Sequence, residues 1–217
     1  MNYYQLALIS SSVFIGTAIG WLRLKETDRV FLPFIICLTV ASINEIISFI
    51  AAKNGYYTVV NNNIYVLLEG ILLCWQFKNW GLFPRNSRSF NVVIGILVAA
   101  WIIENVMVTR FNSLQSYYRV FYSLIIVLLS INTNNSLILT SRVNVLKNPA
   151  FLICSGFIVY FTYKILVETF WLYGLNASKN FRMNVYVLLV WLNLFVNLLY
   201  AVALLWIPKK PRYIKLY

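Results

Sequence analysis

The sequence predicts an all-α fold: a polytopic integral membrane protein built as a bundle of seven transmembrane helices, forming a single domain over residues 1–217. Composition is the first observation, because hydrophobic residues occupy 61% of the 217 positions and charged residues only 11%. A typical soluble domain has about 45–50% apolar and about 25% charged residues. The second observation is that long apolar runs recur along the chain, separated by short polar connections. The bilayer is therefore the expected environment.

Seven runs are long enough to cross a membrane. A spanning helix needs about 20 mostly apolar residues, since every backbone polar group must be paired inside hydrocarbon. The runs cover residues 4–22, 30–52, 61–77, 91–108, 118–139, 150–172 and 185–207. The first is interpreted as a retained helix rather than a signal peptide, because no basic residue precedes it and a basic cluster follows it. The third has the fewest apolar residues, and the fifth is interrupted by Asn132, Asn134, Asn135 and Ser136.

Basic residues in the connections predict the orientation. Of the 18 Lys and Arg residues, twelve fall on one side of the predicted bundle and five on the other, while Lys164 lies within a run. By the positive-inside rule the N-terminus is outside and the C-terminus is cytoplasmic. The expected location is the plasma (inner) membrane, with the lipid bilayer as the main partner. A nucleic-acid partner is not expected despite the net charge of +12, because the basic residues form no stripe on one helix.

Acidic residues are the most informative feature of the sequence. There are only six, and Glu45, Glu69, Glu104 and Glu168 lie inside the apolar runs. A carboxylate in a span must face the bundle interior, water or a cation. From the helical rise, three of them lie roughly 9 to 12 Å below the outer boundary, with Glu69 near the same level. This layer predicts a polar vestibule that opens to the extracytoplasmic side, with Lys164 as its buried cation.

Polar residues at helical spacing define one stripe on each of four runs. The stripes are Ser42, Glu45 and Ser48; Asn62, Tyr65, Glu69 and Gln76; Tyr160, Lys164 and Glu168; and Tyr186, Asn193, Asn197 and Tyr200. Together they are expected to line one interior. The candidate ligand- or ion-binding residues are Glu45, Glu69, Glu104, Lys164, Glu168, Asn193 and Asn197.

A purely structural role explains the same residues. Lys164 and Glu168 are one helical turn apart and are expected to neutralise each other, while Glu69 or Glu104 pairs with Arg119 or is held protonated. Asn193 and Asn197 then join helices through interhelical hydrogen bonds. Both interpretations remain open at the level of sequence.

Several classes of chemistry lack the residues they need. There is no histidine, the one aspartate is Asp28 in a connection, and the eight glycines form no phosphate-binding loop. Cys37, Cys74 and Cys154 lie singly within apolar runs and are expected to be buried thiols. We therefore expect no enzyme activity, catalytic residue, metal or cofactor.

Residues 63–73 (NIYVLLEGILL) and 184–194 (NVYVLLVWLNL) match at six positions and indicate a repeat. The repeat relates helices one to three to helices five to seven, with the fourth as a linker. That plan, with an outside N-terminus, resembles SWEET-type sugar transporters and PQ-loop proteins, and the resemblance implies that Asn193 contributes to a substrate site. The Pro-Gln dipeptide is absent, and spans one and five contain no proline, whereas Pro33 and Pro149 lie near spans two and six. We assign the chain to no family on this basis.

Two functions fit these observations. The first is binding, and translocation through the bundle, of a small solute or cation in a Glu-lined, outward-facing vestibule. The alternative is a heptahelical sensor or accessory subunit that acts through a cytoplasmic or membrane partner protein contacting the basic tail, residues 209–215.

Overall fold

The computed structural model describes residues 3–83, 88–108, 116–140, 144–173 and 179–208, and the basic tail lies outside this part of the chain. Within these ranges the secondary structure is helical, with no β-sheet, so the all-α part of the prediction is confirmed there. Eight α-helices follow one another: α1 (Tyr3–Ser10), α2 (Val13–Arg23), α3 (Leu32–Lys53), α4 (Val59–Asn79), α5 (Arg88–Ile103), α6 (Ser116–Thr140), α7 (Pro149–Tyr173) and α8 (Lys179–Trp206). Single 3₁₀ turns at Arg29–Phe31 and Val145–Lys147 precede α3 and α7, and a π-helical turn, Glu104–Val108, ends α5.

Five of the described helical segments are long and apolar enough to cross a membrane: Arg29–Lys53, Arg88–Val106, Ser116–Thr140, Pro149–Leu172 and Met183–Trp206. A multi-pass helical membrane protein therefore fits the structure. Helix α4 has 21 residues, which at about 1.5 Å per residue is long enough to span, but its polar side chains lower its hydropathy. That α4 and the first run also cross the bilayer stays a prediction from the sequence.

The first apolar run is two helices rather than the one helix predicted. Helices α1 and α2 are separated by Ser11 and Ser12, where the Ser12 N–H donates to the Ile9 carbonyl at 3.1 Å, three residues back. The Ser11 hydroxyl also donates to the Leu8 carbonyl at 2.8 Å. Serine hydroxyls compete with the helical hydrogen-bond pattern in this way. The first run is therefore interrupted by a tight turn about midway along.

Six helices close into a ring, in the order α2, α3, α4, α6, α7 and α8, with α8 packed back on α2. Polar side chains link α2 and the residue before it to the two neighbouring helices. The Thr17 hydroxyl lies 2.8 Å from that of Ser42 on α3, and Asn197 of α8 donates to the Ser12 hydroxyl at 2.9 Å. Helix α5 packs mainly on α4, outside the ring, and Leu97 is its buried residue.

Contacts between neighbouring helices show which helix ends lie at the same level along the bundle axis. Asn61 near the start of α4 donates to Asn44 in the C-terminal half of α3 at 2.7 Å. Arg119 in the first turn of α6 contacts Glu168 near the end of α7 at 3.4 Å. We call this end of the bundle, which carries the C-termini of α3 and α7 and the N-termini of α4 and α6, the outer end. It is the end predicted to face outside.

Aromatic side chains fill the interior of the helix ring between its middle and its inner end. Phe34, Phe157 and Tyr200 pack edge to face, with ring centroids 5.2 to 5.8 Å apart. Gly156 allows Tyr200 to approach, because a Cβ at this position would lie 2.5 Å from the Tyr200 ring. Next to them the fully buried Gln76 accepts a hydrogen bond from the Phe34 N–H at 2.9 Å, which satisfies a free donor at the start of α3. Gln76 thus has a structural role at the inner end of its predicted stripe.

Candidate functional site

A cavity of about 110 Å³ lies inside the ring, lined by α1, α2, α3, α4, α7 and α8. All four predicted polar stripes reach it. From those stripes the lining contains Glu45, Tyr65, Glu69, Tyr160, Asn193, Asn197 and Tyr200. The lining begins near the outer end of the bundle, at Asn44 and Glu45, and ends on the aromatic layer formed by Phe34, Phe157 and Tyr200.

Glu69 is the most deeply enclosed of these carboxylates, and its two oxygens have partners on three helices. The Tyr65 hydroxyl donates to Oε1 at 2.7 Å, and the Tyr122 hydroxyl donates to Oε2 at 2.5 Å. The Lys164 ammonium lies 3.4 Å from the same Oε2, with side-chain exposures of 8% for Lys164 and 9% for Glu69. Hydrogen bonds of this kind are required for a buried ion pair to be tolerated.

The Lys164 ammonium is held by aromatic side chains as well as by Glu69. It donates a hydrogen bond to the Tyr122 hydroxyl, and it lies 5.0 Å from the ring centroid of Tyr122, 5.5 Å from Tyr160 and 5.4 Å from Phe161. Ring faces attract cations at such distances. The Glu69–Lys164 pair is therefore neutral overall and well solvated by protein groups.

Glu168 does not pair with Lys164, although the two are one turn apart on α7. Its Oε1 lies 3.4 Å from Nη1 of Arg119, and its Oε2 accepts a hydrogen bond from the Ser116 hydroxyl at 2.7 Å. The expected pair within α7 is thus replaced by two pairs between helices, Glu69–Lys164 and Arg119–Glu168. The reason is the position of each residue along the bundle axis. Glu168 lies at the same depth as the first turn of α6, which carries Arg119.

Glu104 lies apart from the cavity, in the π-helical turn after α5. Its carboxylate accepts hydrogen bonds from the backbone N–H groups of Tyr117, at 3.2 Å, and Tyr118. These donors belong to the first turn of α6, where the positive end of the helix dipole favours a carboxylate. Glu104 and Glu168 therefore anchor the outer end of α6 and do not line the cavity.

Glu45 differs from the other three carboxylates. It is half-buried on α3 and lines the cavity, yet no described side chain donates a hydrogen bond to it or forms an ion pair with it. Its neighbour Asn44 is engaged with Asn61 and Asn62 of α4. Among the described residues, Glu45 is thus the cavity carboxylate with unused acceptor capacity.

The two candidate asparagines have different surroundings. Asn197 is 6% exposed and donates to Ser12, so it joins α8 to the start of α2 as an interhelical contact. Asn193, one turn nearer the outer end, is half-buried in the cavity lining and makes no hydrogen bond with another described residue. Asn193 and Glu45 therefore offer a polar donor and an acceptor to the same space.

Tyr122, which contacts both Glu69 and Lys164, was not among the predicted site residues. A signal for it exists, since Tyr118, Tyr122, Ile126 and Ser130 recur every four residues along α6 and are at most 1% exposed. The polar run on the same helix faces elsewhere: Asn134 is buried and contacts Ser155 of α7 at 3.4 Å, outside the cavity lining.

Comparison of the chain with protein-family models, with curated proteins and with solved structures gives no match.

Proposed function

We propose that the chain is a seven-span protein of the plasma (inner) membrane, with an outside N-terminus, that binds a small solute or cation in this cavity and carries it across the bilayer. The observation that carries the proposal is Glu45, a half-buried carboxylate in the cavity lining without a described partner. A charge within a membrane span is costly and is typical of a substrate or ion pathway. Glu69, by contrast, already has a full set of partners.

The interrupted first run supports translocation. Ser10, the last residue of α1, lines the cavity next to the turn at Ser11 and Ser12. Transporters use such discontinuous helices beside their substrate sites, where helix ends and unpaired backbone carbonyls contact the substrate or the coupling ion. Movement of α1 relative to α2 would alter the outer part of the cavity without displacing the aromatic layer. That layer closes the cavity on its inner side, so inward release requires a second arrangement of the ring.

Orientation is tested with reporters at two positions. A reporter inserted at Gly55, in the connection between α3 and α4, is expected outside, and one fused after Tyr217 is expected in the cytoplasm. The physical reason is the uneven distribution of basic residues between the two sides. Reporters that map to the same side would contradict the seven-span model.

Transport is tested with purified protein in lipid vesicles. We expect the protein to carry at least one of three probes (protons, sodium ions or radiolabelled methylammonium) and Glu45→Gln to abolish the flux. Glu26→Gln is the matched control, because it removes the same charge from an exposed position in the connection before α3. Equal flux in wild type and Glu45→Gln would remove Glu45 from the mechanism. If the wild-type protein carries none of the three probes, the translocation proposal fails and the sensor or accessory-subunit alternative replaces it.

A further inference from the structure

We propose that the occupant of the cavity is a small organic ammonium ion, held between the Glu45 carboxylate and a cage of aromatic rings. This inference rests on the proposed function, whose site it shares, and adds the chemical class of the ligand. It is built on the charge of the lining, the nature of its rings and the size of the space.

The charge of the lining favours a cation. Glu45 and Glu69 are its only charged side chains among the described residues. Lys164 neutralises Glu69 from behind, at 3.4 Å, so that one negative charge remains, on Glu45. An anion would face an unpaired carboxylate at low dielectric, whereas a cation would supply the partner that Glu45 lacks.

The rings favour an organic cation over a bare metal ion. Six aromatic residues line the cavity: Phe34, Tyr65, Phe157, Tyr160, Phe161 and Tyr200. Calcium takes 6–8 oxygen ligands, and magnesium keeps most of its water, whereas methylated ammonium groups bind best among aromatic faces. Apolar residues such as Val13, Leu38 and Val196 complete the wall, and they suit methyl groups better than water.

The protein already holds one alkylammonium group in this way. The Lys164 side chain ends in an ammonium that lies over Tyr160 and Phe161 at 5.5 and 5.4 Å from the ring centroids. Both rings also line the cavity. The same aromatic cluster therefore presents its remaining surface to a second cation, with Glu45 on the cavity side taking the part that Glu69 takes for Lys164.

The volume limits the size of the ligand. The cavity measures about 110 Å³, and an apolar cavity of about 150 Å³ binds benzene. The space thus suits about four or five non-hydrogen atoms, on the order of methylammonium to tetramethylammonium. Larger amines would require the ring of helices to open.

Cys37 gives a direct test, because it lines the cavity whereas the other two cysteines, Cys74 and Cys154, are fully buried elsewhere. Two methanethiosulfonate reagents are applied from outside: the 2-aminoethyl reagent, whose ammonium arm has the size of the proposed ligand, and the 2-sulfonatoethyl reagent. Each rate is divided by the rate of the same reagent with a free thiol in solution. The Cys37→Ser variant reports the background from the buried cysteines. A second variant, Cys37→Ser with Ala41→Cys, moves the thiol one turn toward the outer end within the same lining.

We expect the cationic reagent to modify the cavity thiol about tenfold or more faster than the anionic reagent, as in a cleft lined by one sign of charge. Glu45→Gln should remove this preference, and Glu26→Gln should keep it. Tetramethylammonium should slow the modification, and tert-butanol, which is neutral and similarly branched, should not.

The outcomes separate the two proposals. If neither reagent modifies the thiol at position 37 or at position 41, the cavity is closed to the outside and the proposed function fails with it. If both reagents react at equal normalised rates, or if tert-butanol protects as well as tetramethylammonium, the cavity is open and the ammonium assignment alone is overturned.

Discussion

A double-mutant cycle identifies the partner of Lys164. The changes are Lys164→Met, which removes the ammonium and keeps much of the apolar stem, and Glu69→Gln, which keeps the shape of the side chain and removes its charge. A parallel cycle combines Lys164→Met with Glu168→Gln. The structure places Lys164 at 3.4 Å from Glu69 and joins Glu168 to Arg119 instead.

The expected magnitudes follow from what each change leaves behind. Lys164→Met leaves Glu69 with the hydroxyls of Tyr65 and Tyr122, so the loss of unfolding free energy should be near the lower end of the range for breaking a buried pair, about 3 kcal/mol. Glu69→Gln leaves a buried ammonium with Tyr122 and ring faces only, and should cost about 4 kcal/mol. The double variant buries no unpaired charge at this site. The double variant should therefore cost only about 1 to 2 kcal/mol, less than either single change, which makes the coupling energy between positions 69 and 164 about 5 to 6 kcal/mol.

The assay is equilibrium unfolding in mixed micelles, followed by loss of helical circular dichroism as the fraction of denaturing detergent rises. Coupling between positions 164 and 168 should be below about 1 kcal/mol, since no hydrogen bond or ion pair joins them. A larger coupling for Glu168 than for Glu69 would refute the assignment of partners. It would restore the pair within one helix that spacing alone predicts.

Two further changes test the packing at Gly156 and the hydrogen bond of Gln76. Gly156→Ala should lower the unfolding free energy by about 1 to 3 kcal/mol, because its Cβ would lie 2.5 Å from the Tyr200 ring. The control Gly95→Ala, whose Cβ meets nothing within 4 Å, should stabilise the protein slightly through helix propensity, and a similar loss at both sites would contradict the packing argument. Gln76→Leu should cost about 1 to 3 kcal/mol by leaving the Phe34 N–H without its acceptor, and a thermal midpoint equal to that of the wild type would contradict the assigned hydrogen bond.

Much of the helical architecture is predictable because run length and spacing are local properties. The seven apolar runs coincide with described helices, since uninterrupted apolar stretches of this length favour helix in hydrocarbon. The division of the first run was missed because Ser11 and Ser12 are compatible with a continuous helix. Only their hydrogen bonds to carbonyls three residues back distinguish the two cases.

The inward faces of the four stripes could be predicted for most of their residues, although Tyr186 is exposed. The pairing of their charges could not be predicted. The spacing of polar residues along α7 predicts which side of the helix carries Lys164 and roughly how deep in the membrane it lies. Its partner depends on which helix is next in the ring and on the rotation of each helix about its axis. Glu69 is 95 positions away in sequence, and Glu168 is one turn away, so local reasoning favours Glu168. The cross-helix pair appears only once α4, α6 and α7 are placed together.

The seam between α2 and α8 joins the beginning of the chain to its end. Nη1 of Arg23, at the end of α2, donates to the Leu204 carbonyl at 2.7 Å, 181 positions later, and Asn197 reaches Ser12 across 185 positions. At about 5–20 residues per second of synthesis, α2 waits roughly 10 to 40 seconds for these partners. During that interval Arg23, and Ser12 directly before α2, have no α8 to contact. We expect a chain cut short before α8 to keep these polar groups of α2 exposed to membrane quality-control proteases.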